Sequence, residues 1–142
     1  MTVTIPTFAE IRQALVTTVA SNVDMELFEY PKVADVTQCP AIVTKPLSAK
    51  YMVNMGQDAT YEIQFVVLCS RRDTVTGQDD LDALVSHYGP NSIPRAINDH
   101  GDLGIDGVTA ICYAMDAYGG EYAVAKIPHI GAILKVRVEA DP

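Results

Sequence analysis

The chain has no tryptophan, only three cysteines and three phenylalanines, and just ten lysines and arginines among its 142 residues. Each scarcity removes a class of function. A nonspecific nucleic-acid binder needs clustered cations to displace counterions from phosphates, and here the basic residues are scattered in a chain of net charge −8. Cys39, Cys69 and Cys112 form no C-x-x-C pair and their number is odd, which suits neither a disulfide framework nor a zinc site. Cys69 and Cys112 lie inside apolar strand-like runs, where a buried thiol serves as a small hydrophobe. No apolar run approaches the ~18–20 residues needed to span a bilayer. The first residues, Met1-Thr2-Val3-Thr4-Ile5-Pro6, lack both the positive segment and the apolar stretch of a secretory signal. The expectation is a soluble protein made and used in a cytoplasm. What is plentiful is ordinary: 49% apolar and 20% charged residues, the composition of a globular chain. A length of 142 residues suits a single domain with one sizeable core.

Local patterns predict an α+β domain, residues 1–142, with a mostly antiparallel sheet, two main helices and one short helix. Thr7 followed by Glu10 forms a capping box, and Phe8, Ile11, Leu15 and Val19 then recur at helical spacing as far as Ala20-Ser21-Asn22. Met25–Tyr30 and Ala41–Thr44 read as short extended pieces, the second fenced by Pro40 and Pro46. Proline supplies no ladder donor, so both are expected to be short or at a sheet edge. Lys50–Met55 and Thr60–Ser70 flank Gly56-Gln57-Asp58-Ala59 as a long hairpin. In Tyr61–Cys69 the apolar and polar residues first alternate, then all turn apolar, as in a strand running from a half-exposed hairpin into the core.

A second helix follows, with Thr76 as its cap and Asp79 and Asp80 in its first turn, where carboxylates favour the positive end of the dipole. Leu81, Leu84, Val85 and Tyr88 form its apolar face, and Gly89-Pro90 stops it. Ser92 caps a shorter helix carrying Ile93, Ala96 and Ile97, with Pro94 tolerated in its first turn. Strands near Val108–Met115 and Ala132–Glu139 close the chain, joined by a long hairpin or loop over 116–131.

Chemistry is harder to find. His87, His100 and His129, placed on a helix, a turn and a loop, have no second histidine at i+3 or i+4. Asp99, Asp102 and Asp106 loosely resemble a calcium loop, but the spacing is wrong and the bidentate glutamate is missing, so a solvated turn explains them. Gly101, Gly104 and Gly107 do not follow a nucleotide-binding spacing. No serine or cysteine stands in a recognisable nucleophile context. The reading is therefore of a non-enzyme with no catalytic, metal or cofactor residues, and of assembly or binding rather than catalysis. Arg71 and Arg72 form the basic pair where the strongest strand leaves the core, and arginine forks suit interface carboxylates.

The middle of the chain resembles a known family. Strand Phe65–Cys69, then Ser70-Arg71-Arg72-Asp73, then Gln78 and Leu81-Asp82 on a helix, is similar to the tail terminator proteins of long-tailed, siphovirus-type bacteriophages. So are Gly89-Pro90-Asn91-Ser92-Ile93 leading to Ala96-Ile97, the turn Asp102-Leu103-Gly104, Tyr118-Gly119 and the closing alternating strand. The match runs over roughly residues 7 to 139, on packing and turn signals rather than chemical signatures. The resemblance implies a virion protein that forms a six-membered ring on the last ring of the tail tube. Such a ring stops tube polymerisation, offers a docking face to the head-completion proteins and lets genomic DNA pass through its lumen. It implies heterologous subunit contacts, for which Arg71, Arg72 and Asp73 are the candidates, and a hairpin arm whose tip, Gln57 and Asp58, would meet a neighbouring ring. Two other readings stay open: another neck or tail component, such as a head–tail stopper or tube-related subunit, and an intracellular enzyme or ligand-binding domain.

Overall fold

The computed structural model describes residues 7–30, 40–51, 58–70, 74–105, 107–124 and 127–140. It opens with helix α1, Phe8–Asn22, started by Thr7, whose hydroxyl accepts from the Glu10 N–H at 3.3 Å. Ile11, Leu15 and Val19 give α1 one fully buried stripe. Strand β1, Phe28–Tyr30, is followed by β2, Ala41–Tyr51, and β3, Ala59–Ser70. Helices α2, Thr74–Val85, and α3, Ile93–Asp99, lead to the long closing strands β4, Val108–Val124, and β5, Ile127–Ala140.

The five strands pair in the order β1-β2-β3-β5-β4, antiparallel except for β1 against β2. The α+β architecture read from sequence is thus the architecture of the protein. Alternation along β3 decides which residues meet the helices. Ile63, Phe65, Val67 and Cys69 join Leu134 and Val136 of β5, Ala110 and Cys112 of β4, and the buried stripes of all three helices in one core. Val66 and Leu68 point to the other face, into a smaller cluster with Ala41 and Val43. A strand apolar on both sides is what two clusters on opposite faces require. Phe65, fully buried on the central strand opposite Leu134, is worth roughly 1.5–3 kcal/mol by transfer alone.

Several expectations change. β2 does not stop at Pro46: it runs through to Tyr51, with a bulge between Pro46 and Ser48 that leaves Leu47 without a register partner and 52% exposed. Because β1 pairs only with Ala41–Val43, the outer edge of β2 at Pro46 has no described strand to receive from it, so the missing N–H breaks no bond. The hairpin is closed as far as Tyr51 opposite Ala59; the projecting tip expected around Gly56 lies outside the described residues. Helix α2 begins at Thr74 rather than after a Thr76 cap, which moves Asp79 and Asp80 beyond its first turn. Tyr88 is not on its apolar face: the helix ends at Val85 and Tyr88 is 77% exposed on the turn beyond. The segment 116–131 is a hairpin, since β4 and β5 stay paired up to Val124 opposite Ile127. The pairing absorbs irregular residues between Asp116 and Gly120, where Ala117 and Gly119 take positive φ of 53° and 76°.

Candidate assembly interface

All three helices pack on one side of the sheet, so the other side of β2, β3, β5 and β4 faces outward over its polar half. Three strands build its centre. Glu62 on β3 accepts from the Arg137 Nε of β5 at 2.8 Å and from the Tyr113 hydroxyl of β4 at 2.9 Å. The Arg137 guanidinium lies 5.3 Å from the centre of the Tyr113 ring, a cation–π contact. Tyr113 reaches that far because the bulge between Cys112 and Ala114 leaves it outside the β4–β5 register. Beside this trio, Lys135 Nζ sits 2.8 Å from Asp116 Oδ2. Ser48, Lys50, Thr60, Glu62, Arg137 and Glu139 line a shallow depression of about 270 Å³.

The electrostatics follow from these contacts. At Glu62, burial pushes the carboxyl up, but hydrogen bonds from Arg137 and Tyr113 and the charges of Arg137 and Lys50 outweigh it, so the carboxyl is held below its ordinary range. The same hydrogen bond pushes the Tyr113 phenol up, and the bond to Asp116 raises the Lys135 ammonium. Ile111 and Tyr113, each about half exposed, add apolar surface to the face.

Charge is segregated between the two sides. Among the described lysines and arginines, Lys45, Lys50, Lys135 and Arg137 lie on this sheet face and only Arg12 and Arg95 lie elsewhere. Among the described residues the face carries the carboxylates Glu62, Asp116 and Glu139 beside its four cations. The helices and the turn after α3 hold Glu10, Asp79, Asp80, Asp82, Asp99 and Asp102. A chain of net charge −8 thus keeps four of its six described cations on one wall.

Behind the helices, a polar tie holds the layer in register. Arg95 on α3 donates to the Gly89 carbonyl at 2.7 Å and to the Asn22 carbonyl, at the end of α1, at 3.2 Å. The Met25 N–H donates to Asn91 Oδ1 at 2.7 Å, and the Asp24 N–H to the Pro90 carbonyl at 3.2 Å. Ser92 caps α3 by accepting from the Arg95 N–H at 3.1 Å, while its hydroxyl donates to the Ser86 carbonyl. The Gly-Pro-Asn-Ser run is therefore a fastener between α1 and α3, and Gly89, at φ 119°, supplies a turn few other residues would adopt.

Of the sequence-predicted interface residues, Arg71, Arg72, Asp73 and Gln57 lie outside the described residues. Asp58 stands just before β3 and is 8% exposed, so it offers little of its own surface to a neighbour. The histidines do not converge. His87 follows α2, His100 ends α3, and His129 is a buried strand residue of β5 rather than a loop residue. Among the described residues no three His, Cys, Asp or Glu side chains are grouped to hold a metal ion, and no helix is long and apolar enough to cross a membrane. Asp102 instead accepts from the Gly104 N–H at 3.1 Å, closing its own turn, and Asp99 pairs with Arg95 at 3.4 Å. An open groove of about 780 Å³ runs between α1 and that turn, lined in part by Gln13, Thr17, His100 and Leu103. Sequence reasoning missed the Glu62–Arg137–Tyr113 trio. Alternation along β5 puts Arg137 on the face opposite Leu134 and Val136, but nothing local marks its partners. No protein-family model matches the chain, and no curated protein matches it significantly.

Proposed function

We propose that this protein is a virion assembly subunit: a ring-forming cap at the head-proximal end of a phage tail tube. In this role it stops tube growth and presents a docking face to the head or neck. One observation carries the reading. The described helices cover one side of the sheet only, and the polar half of the other side, beyond the buried Ala41–Val43–Val66–Leu68 cluster, is an outward wall of ion pairs, half-exposed Ile111 and Tyr113, and lysines. A wall of this kind suits protein contact better than small-molecule turnover, for which an enclosed pocket with convergent polar groups is the usual form. The resemblance over residues 7 to 139 supplies the particular assembly. A ring needs contacts between unlike surfaces that close on themselves, and the two unlike sides of this domain meet that need. The proposed partners are further copies of the chain, with Arg71, Arg72 and Asp73 as candidate closing contacts, together with a tube protein on one ring face and a head-completion protein on the other; DNA passes without specific binding.

The test is direct. Light scattering and negative-stain images of the purified protein should show rings, alone or on addition of tail tubes, and a null allele should give tails of abnormal length that do not join heads. A chain that stays monomeric with tubes present, beside normal tails joined to heads in the null, removes the proposal. Rings with normal tail length would shift the assignment to another neck component.

A further inference from the structure

We infer that the open sheet face of one copy receives the acidic helical side of the next, so that self-assembly is head-to-tail and driven by opposite charge. This inference rests on the reading of the chain as a self-assembling subunit and names the two surfaces that meet. Two observations point to it independently. On the sheet face, Lys45 and Lys50 of β2 are exposed and have no ion-pair partner among the described residues, unlike Arg137 and Lys135. On the helical side, Asp79 and Asp80 of α2 likewise have no ion-pair partner among the described residues.

Unpaired charges of opposite sign on opposite sides of one domain are complementary between copies, not within one. Face-to-face pairing would oppose lysines to lysines, and helix-to-helix pairing would oppose carboxylates to carboxylates. Only the unlike pairing relieves both. Strand addition along β2 is disfavoured by Pro46, the bulge at Leu47 and the lysines themselves, which leaves the face rather than the edge as the contact. The pre-formed Glu62–Arg137–Tyr113 trio also enters a contact already hydrogen-bonded, so its charges are buried as a satisfied group.

Two double variants test this, K45E/K50E and D79K/D80K, with melting temperatures taken first to show that each folds. Sedimentation or light scattering should find self-association of either variant weakened by about tenfold or more, and mixing the two should restore it, because each then supplies the surface the other lacks. Association of the native protein should weaken with added salt. If the native protein assembles and neither variant is impaired, or the mixture is no better than its parts, this inference falls while the ring reading stands. Loss in K45E/K50E with no loss in D79K/D80K would mean that the sheet face meets a surface other than α2 and also overturns it. Loss of binding to a single-stranded DNA oligonucleotide in K45E/K50E, with assembly intact, would make the face a polyanion site instead. A native protein that is monomeric at every concentration sinks both readings.

Discussion

The side chain of Asn98 stands in for a neighbouring strand at Cys112. Its Oδ1 accepts the Cys112 N–H at 2.9 Å and its Nδ2 donates to the Cys112 carbonyl at 3.3 Å. One step along, the Gly101 carbonyl accepts from the Ala110 N–H at 2.7 Å, and a Cβ at Gly101 would approach the Ala110 oxygen to 3.0 Å. Together they close the outer edge of β4, the last strand of the sheet, at Ala110–Cys112, where open backbone groups would invite pairing with another chain. N98A leaves both Cys112 groups without these partners. It should destabilise the protein by about 1–3 kcal/mol in urea unfolding. N98D, which still accepts but cannot donate, should fall between. An N98A protein as stable as the native one would show that water replaces the side chain without loss.

Arg95 joins the end of α1 and the turn after α2 to α3 through two carbonyls, those of Asn22 and Gly89. R95M should cost roughly 2 kcal/mol, in the range for hydrogen bonds from charged groups. R95K should recover less than half, because one ammonium on a flexible stem cannot serve both carbonyls as a planar fork does. D99A, which removes only an exposed i,i+4 pair, should stay within about 0.5 kcal/mol of the native protein. Denaturant midpoints of the three variants decide the order.

Burial pushes the Cys112 thiol up to about 11, against a smaller downward pull from the Ala114 backbone hydrogen bond. An acid raised by folding favours the folded state below its unfolded pKa, and this contribution is lost as pH rises through the folded value. The native protein should therefore lose stability relative to C112A between about pH 9 and pH 11. Thermal melts across that window measure it. In a variant retaining only Cys112, thiol labelling at pH 8 should be slow until the protein is unfolded.

Glu62 carries the opposite sign. Its lowered carboxyl contributes stability above the ordinary carboxylate range, and that contribution fades as pH falls through the folded value. E62Q should lie below the native protein in melting temperature at pH 7 and approach it at pH 3. Since the side chain is partly exposed, the effect is modest. A gap that is the same at both pH values would show that packing, and not ionisation, sets the difference.

Much of the framework can be read along the chain. Thr7 and Ser92 cap α1 and α3 as their positions predict, because a cap is a local arrangement of a hydroxyl and an N–H three residues on. The shift of β3 from alternating to continuous apolar residues is likewise local, and it marks where the second cluster begins on the far face. Pro46 misleads for a physical reason: proline bars a ladder bond only where a partner strand asks for one, and the short β1 does not extend that far. Asp79 and Asp80 mislead similarly, since helix-start chemistry depends on where the helix begins, and α2 gains a turn at Thr74.

The sequence by itself determined the class of fold, the two capped helices, the buried thiols at Cys69 and Cys112, and an acidic balance. Those properties depend on composition or on neighbours within a few residues. Tertiary structure alone decided that Glu62 meets Tyr113, 51 residues away, and Arg137, 75 residues away, and that four of the described cations share one wall. Strand order brings such groups together, and strand order is set by the packing of the whole sheet against its helices rather than by any segment of it.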